Sequence, residues 1–392
     1  MLIKRSRHGS TSAVPMVVFL LSSLVGCDST EGGDAGVSAM PRTRVFATIV
    51  SHNEQDNNPG CGPVLADEAS FLENHANTLA FARAIAEAGG AYDLQTDYRW
   101  IEQMQLWETD IHRTETAGQN LLAYLSAAFP GQVAVDAHNH ESERGGPMRR
   151  GISYADVAYL LNQLGVPDTG VVGGLLWYPY EDQDWLRFRT PVSGRSYEYT
   201  WQARVLWGAA TRNHAGPDSE ASGVWRPRSA EGYHEDDPTQ TLMAFGSFDS
   251  KFEETGGAGI AELVRQVRAG EHPEGVMLTV SVFFDQCVLD SEDIAAVRTF
   301  IEGHQDDVAA GDLVWAPVPE VIARWQSEYD SRAYITNQPD LEASADCGGC
   351  EEGEICCPGT LPCMGRCVPD CRLEGGSCPP GASCGDDGLC SG

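Results

Sequence analysis

Between Arg44 and Trp325, short β-branched or aromatic runs alternate about seven times with helical segments. That alternation calls for a parallel sheet covered by helices, either a closed barrel or a doubly wound sheet. The predicted strands include Val45–Val50, Tyr92–Arg99, the run ending at His138, Gly170–Trp177, Leu242–Phe248, Val276–Phe284 and Leu313–Ala316. The predicted helices are Phe71–Ala88, Thr116–Phe129, one opened by Ser153 with Asp156 three residues on, Ile260–Val267, one capped at Asp290, and one opened by Pro319. Residues 187–240 are harder to read, with a strand-like piece near 195–205 and polar loops holding His214 and His234. No Gly-x-Gly-x-x-Gly follows the first strand and there is no Walker motif, so nucleotide-binding folds lose ground. The expectation is an α/β chain built on an incomplete (β/α) barrel of seven or eight strands, spanning residues 44–335.

The ends of the chain read differently. Lys4, Arg5 and Arg7 precede a mostly apolar run, Val14–Val25, too short for a comfortable membrane span. It closes on Leu24-Val25-Gly26-Cys27, which resembles a bacterial lipobox and implies cleavage before Cys27 and lipidation of its sulfur. Residues 1–26 are then a signal peptide, and 27–43, rich in Gly, Ser, Ala and acids, a flexible tether. Removing 1–26 leaves 23 basic and 57 acidic residues, a surface that repels nucleic acid and excludes it as a partner. Of 13 cysteines, ten lie in residues 347–392, after a linker at 336–346. That segment has few apolar residues and needs disulfides to fold, in the manner of a small knottin-like module; its partner is not readable. With Cys27 lipidated, Cys61 and Cys287 are left to pair with each other. These features predict a protein anchored by lipid in a bacterial cell envelope, in an oxidising compartment.

The chemistry concentrates at Val135-Asp136-Ala137-His138-Asn139-His140-Glu141-Ser142. On a strand, alternation puts Asp136, His138 and His140 on one face and Val133, Val135 and Ala137 on the other. A lone His-x-His is most often a pair of surface imidazoles. Here it ends a buried strand, and other polar residues gather at strand ends too: His52, Glu54, Asp97 and Asp285. Barrels place their sites at those ends. Nitrogen and oxygen donors so arranged suit a divalent ion, zinc above others.

This order of motifs resembles the polysaccharide deacetylase (NodB-homology) barrel family, over residues 44–328. That family carries acids at the end of its first strand and a histidine motif at the end of its third. Here the corresponding ends are Ser51-His52-Asn53-Glu54 and Asp136-x-His138-x-His140, and the closing Leu313-Val314-Trp315-Ala316-Pro317 also looks like the family's end. The resemblance implies an incomplete barrel, a metal ion and hydrolysis of carbohydrate. Val-Asp-x-His-x-His is also similar to the first-strand motif of metal-dependent amidohydrolases, which would draw on His214, His234 and Asp285. Two strand–helix units precede the motif here, a register unlike that family's.

The expected site therefore has His52, His138 and His140 as metal ligands, with Asp136 or Glu54 as general base. Asp285 would orient a ligand or act as acid. Trp177, Tyr178, Tyr180 and Trp185, with Asp97, would contact sugar, or the aromatics would form a lid or core packing. A non-catalytic carbohydrate-binding lipoprotein on a degenerate barrel is the rival from outside the enzymes.

Overall fold

The computed structural model describes residues 41–53, 67–139, 151–176, 184–208, 221–248, 252–284 and 289–337, with four short tail strands at 354–356, 367–369, 383–384 and 390–391. The chain divides into Met1–Ala39 and Met40–Gly392, and every described residue belongs to the second unit. The signal peptide, Cys27, the tether up to residue 40, Cys61, Cys287, the linker at 338–346 and most of the cysteine-rich tail lie outside the described residues.

In chain order the elements are β1 (Arg44–Asn53), α1 (Glu68–Glu87), β2 (Tyr92–Thr96), α2 (Tyr98–Trp107), α3 (Leu121–Ala128), β3 (Val133–His138), α4 (Tyr154–Gln163) and β4 (Val171–Leu176). A small pair, β5 (Val192–Ser193) and β6 (Thr200–Trp201), precedes β7 (Val205–Gly208), β8 (Ala221–Trp225) and β9 (Met243–Phe245). Then come α5 (Phe252–Thr255), α6 (Ala258–Ala269), β10 (Met277–Phe284), α7 (Ser291–Gly303), α8 (Gln305–Ala310), β11 (Leu313–Trp315), α9 (Val318–Glu328) and β12 (Tyr334–Asn337).

The main sheet runs β10-β1-β2-β3-β4-β7-β9-β8-β12, with β11 also on β1. Pairing is parallel from β10 through β9, while β8 and β12 return antiparallel. The sheet curls until its ends meet. Ser281 N–H of β10 donates to the Phe248 carbonyl at 3.0 Å. The Thr279 hydroxyl donates to the Gly246 carbonyl at 2.7 Å and accepts from Gly223 N–H at 2.7 Å. The result is the nearly closed barrel with helices that the alternation predicts.

Because helices cover the outside and side chains fill the inside, the parallel strands are buried on both faces, which explains their near-continuous apolar runs. Val45, Ala47 and Ile49 pack outward with Phe81 and Ile85 of α1. Phe46 and Val50 point inward with Val171, Val205, Val224, Met243 and Met277. The same inner cluster takes in Val318, Val321, Ile322 and Trp325, so α9 seals the end of the barrel where the strands begin. The opposite end, where they finish, is left for polar groups.

Caps set the helix starts. Asp67, Asp97 and Asn120 each accept a backbone N–H three residues on at 2.9 Å. Ser153–Asp156 and Asp290–Asp293 form the two predicted capping boxes. Each such cap is worth about 1 kcal/mol. These caps also correct two expectations. The strand predicted over Tyr92–Arg99 stops at Thr96, because Asp97 turns the chain into α2. The helix expected from Thr116 begins at Leu121, since Ala117 and Gly118 adopt left-handed backbone and Asn120 is the cap.

Asp156 does more than cap. Its carboxylate also accepts the backbone N–H groups of Arg195, Ser196 and Tyr197 at 2.8, 3.0 and 2.9 Å. Burial pushes its pKa up, but these backbone donors and Ser153 outweigh burial and hold it below the usual carboxylate range. It thereby pins the β5–β6 turn to α4.

In the tail, residues 354–356 pair antiparallel with 367–369, and 383–384 with 390–391, bringing Cys356 opposite Cys367 and Cys384 opposite Cys390 in the ladders.

Candidate active site

The inner face of the first three strands carries an unusual density of polar side chains: Thr48 and His52 on β1, Asp93 and Gln95 on β2, Asp136 and His138 on β3. Their strand registers set His52 beside Gln95, Gln95 beside Asp136, and His138 beside Gly173 of β4. Val133, Val135 and Ala137 pack into the outer core, as the alternation of β3 predicts.

His52 and His138 meet at the carboxyl end of the barrel. Their rings stack with centroids 4.3 Å apart and planes 28° apart. The edge of His52 also meets Phe283 at 4.8 Å and Trp207 at 5.5 Å, so apolar walls hold it from two sides. Trp207 is itself fixed across the barrel by an indole N–H bond to Ser281 at 2.9 Å. His138 Nδ1 lies 2.9 Å from the Gly173 carbonyl, which also accepts the Tyr154 hydroxyl at 2.6 Å. A carbonyl only accepts, so Nδ1 carries the proton and the ring's lone pair resides on Nε2. This is the backbone-carbonyl arrangement that orients metal-binding histidines.

The two imidazoles depend on a wall without side chains. Gly174 has φ +67°, and a Cβ on it would stand 2.4 Å from His138 Cε1 and 3.0 Å from His52 Cε1. Gly174→Ala is therefore expected to displace the His138 ring. The left-handed backbone adds about 1–2 kcal/mol of destabilisation. A urea midpoint and the His138 ring resonances would check both effects; an unmoved ring would show that the shelf is not needed.

One layer deeper, Asp93 and Asp136 face one another, both fully buried. Asp93 Oδ2 accepts the Thr48 hydroxyl at 2.7 Å and the Val318 N–H, at the start of α9, at 2.8 Å. Burial raises the Asp93 carboxyl to about 6, against the lowering effects of hydrogen bonds from Thr48 and Val318. Burial and the charge of the nearby Asp93 push Asp136 well above the usual carboxylate range. Asp136 is therefore the acid of the pair that more readily keeps its proton. A carboxyl that keeps its proton is a poor base, and Asp136 sits one inward step below His138 on β3 rather than beside it. This departs from the expectation that Asp136 is a general base.

The structure places the remaining expected residues as follows. Asp97 is fully buried as the α2 cap and is spent on Trp100 N–H rather than presented to a sugar. Trp185 is fully buried against Tyr233 at 5.4 Å, the packing alternative. His234 sits against Trp225 and Tyr233, and burial lowers it to about 4. Glu54, His140, Trp177, Tyr178, Tyr180, His214 and Asp285 lie outside the described residues. Among the described residues no three His, Cys, Asp or Glu side chains form a metal cluster. His52 and His138 fit a metal in kind, as buried nitrogen donors with one tautomer fixed, and would be two members of a larger set.

Asp93, Gln95 and the Gly173–Gly174 shelf are the parts that motif reading did not assign. Their signals are polar residues alternating within a buried strand, and adjacent glycines inside another.

No family model matches the chain, and no curated protein matches it. Among solved structures it is similar to a probable polysaccharide deacetylase from Pseudomonas aeruginosa PAO1, with 9% identity and a TM-score of 0.43 over 73% of this chain and 92% of that one. It is also similar to PuuE allantoinase, at 10% identity and TM-score 0.41 over 77% and 98% of the two chains. A GH57 branching enzyme from Thermococcus kodakaraensis shows 10% identity and TM-score 0.41 over 73% and 71%.

Proposed function

We propose that this chain is a metal-dependent hydrolase of the polysaccharide deacetylase class, acting on carbohydrate outside the cytoplasm of a bacterium and anchored there by lipid on Cys27. The observation that carries the reading is the buried His52–His138 pair at the carboxyl ends of β1 and β3, with the His138 tautomer set by the Gly173 carbonyl. His52 and His138 would hold the ion through ring nitrogens, with His140, two residues past the end of β3 in the sequence, as third ligand. A divalent ion in that place supplies Lewis acidity, lowering the pKa of a water and polarising a carbonyl. Glu54, which follows β1 in the sequence, would act as general base, since burial and the Asp93 charge favour the protonated form of Asp136. Trp207 and Phe283 exclude water from the rear of His52, which strengthens the electrostatics in front of it.

The test is elemental analysis of protein purified without added metal, paired with acetate release from an acetylated glycan. One ion per chain is expected, with acetate release lost on chelation and restored by zinc. No ion, and a melting temperature indifferent to chelator, would refute the hydrolase and leave a carbohydrate-binding lipoprotein.

A further inference from the structure

The chemistry above leaves one side chain beside the imidazole pair without a task. Gln95 points into the barrel from β2, between His52 and Asp136 in the strand registers, and is fully buried. Its amide packs against Gly173: a Cβ there would stand 2.4 Å from Oε1 and 2.5 Å from Cδ. The Gly173 carbonyl is also the acceptor for His138 and Tyr154, and the next residue, Gly174, is where both imidazoles approach. Gln95, His52 and His138 thus converge on one two-residue shelf.

Neither Oε1 nor Nε2 of Gln95 has a hydrogen-bond partner among the described residues. An unpaired buried amide is destabilising, because it has given up its water without gaining a partner. Leucine or methionine would occupy a similar volume without that cost. Neither neighbouring acid bonds to it: Asp93 Oδ2 takes Thr48 and Val318, and Asp136 has no hydrogen-bond partner among the described residues. A carboxamide kept at this cost, against the wall that holds both imidazoles, is placed to bind something.

We infer that Gln95 is a specificity-determining residue of the imidazole site, recognising an amide group in the ligand. Nε2–H donates to the ligand's carbonyl oxygen, and Oε1 accepts its N–H. A primary or cis amide presents its carbonyl and N–H on one edge, so that these two bonds satisfy both ends of the Gln95 amide at once. An ester offers the carbonyl but no donor and leaves Oε1 buried and unpaired, which is how a site built on hydrogen bonds rejects an analogue that lacks one. The inference rests on the reading of the His52–His138 pair as the place where ligand is bound.

The full chain and its Q95L variant are titrated with acetamide and with methyl acetate, and binding is followed by ligand-observed NMR. Wild type is expected to bind acetamide at least about tenfold more tightly than the ester. In Q95L the ratio falls to near one, while the melting temperature stays level or rises, because two unpaired polar atoms have been removed from the interior. A Gln95 side-chain NH2 resonance, assigned by its loss in Q95L, shifts with acetamide only. Equal affinity of wild type for both probes would overturn the inference. So would a Q95L protein of lower melting temperature that keeps the wild-type ratio, the mark of a purely structural residue. Metal content measured on the same samples separates the two readings. A metal-free wild type that still prefers acetamide refutes the hydrolase but not the role of Gln95. A metal-loaded, active wild type without the preference refutes the role of Gln95 alone.

Discussion

His138→Ala is expected to lower the affinity for a bound divalent ion by more than about 100-fold, since loss of a mere supporting contact to a metal ligand already costs 10–100-fold. The variant should remain folded. It removes a buried ring and leaves a cavity, a loss of about 2–4 kcal/mol, but the Gly173 carbonyl keeps the Tyr154 hydroxyl at 2.6 Å and is not orphaned. Tyr154→Phe is the matched comparison. It removes the second donor from the same carbonyl while His138 Nδ1 remains at 2.9 Å, so ion affinity should fall far less. His52→Ala should resemble His138→Ala in ion affinity, because the stacked rings enter from different strands and neither can replace the other. Titration with zinc against a competing chelator, with a urea melt of each variant, checks these outcomes. An H138A protein that keeps wild-type ion content would remove this ring from the site.

How much of this was legible in the sequence varies with distance along the chain. The parallel strands announce themselves, because burial on both faces demands continuous β-branched and aromatic runs. The inner face of β3 follows from alternation alone, and Asp136 and His138 do share it. The partner of Asp136 is not a local property. Asp93 reaches it through the β2–β3 pairing, and its other contacts come from Thr48 on β1 and from Val318, 225 residues away. A reading that sees Asp136 beside two histidines therefore makes it their general base, while the fold sets it against another acid. Asp97 misleads in a different way. It continues the alternation of Asp93 and Gln95, yet the helical residues after it make it a cap, and the cap takes its carboxylate. The strands β8 and β12 escaped recognition because they are four or five residues long and return antiparallel, with no crossover helix to mark them.

The Asp93–Asp136 pair makes the stability of the barrel fall as pH rises through the neutral range. Both carboxyls have folded-state pKa values above the unfolded value of 3.8, Asp93 at about 6 and Asp136 well above the ordinary range. Between the unfolded and folded values the native state keeps protons that the unfolded chain has released, so stability declines with pH, by up to about 1.4 kcal/mol per pH unit for each proton retained. The favourable contribution is complete below 3.8 and is lost as pH climbs through the folded values. For Asp93 alone the two-unit rise amounts to about 3 kcal/mol. Asp156 acts in the opposite sense: its lowered pKa makes the β5–β6 turn loosen as pH falls below the ordinary carboxylate range. Stability should accordingly peak in mildly acidic solution. Asp93→Asn separates the pair from the rest of the acids. Its amide oxygen can still accept from Thr48 and Val318, its NH2 can donate to Asp136, and the buried pair loses one ionisable group. Urea midpoints between pH 5 and 8.5 should fall steeply in wild type and much less in D93N, with D93N the more stable protein at pH 8. Asp93→Ala should instead be destabilised at every pH, because the Thr48 hydroxyl and the Val318 N–H are left buried without a partner, a loss of about 3 kcal/mol or more. A D93N protein with the wild-type slope would show that the pair does not carry the proton.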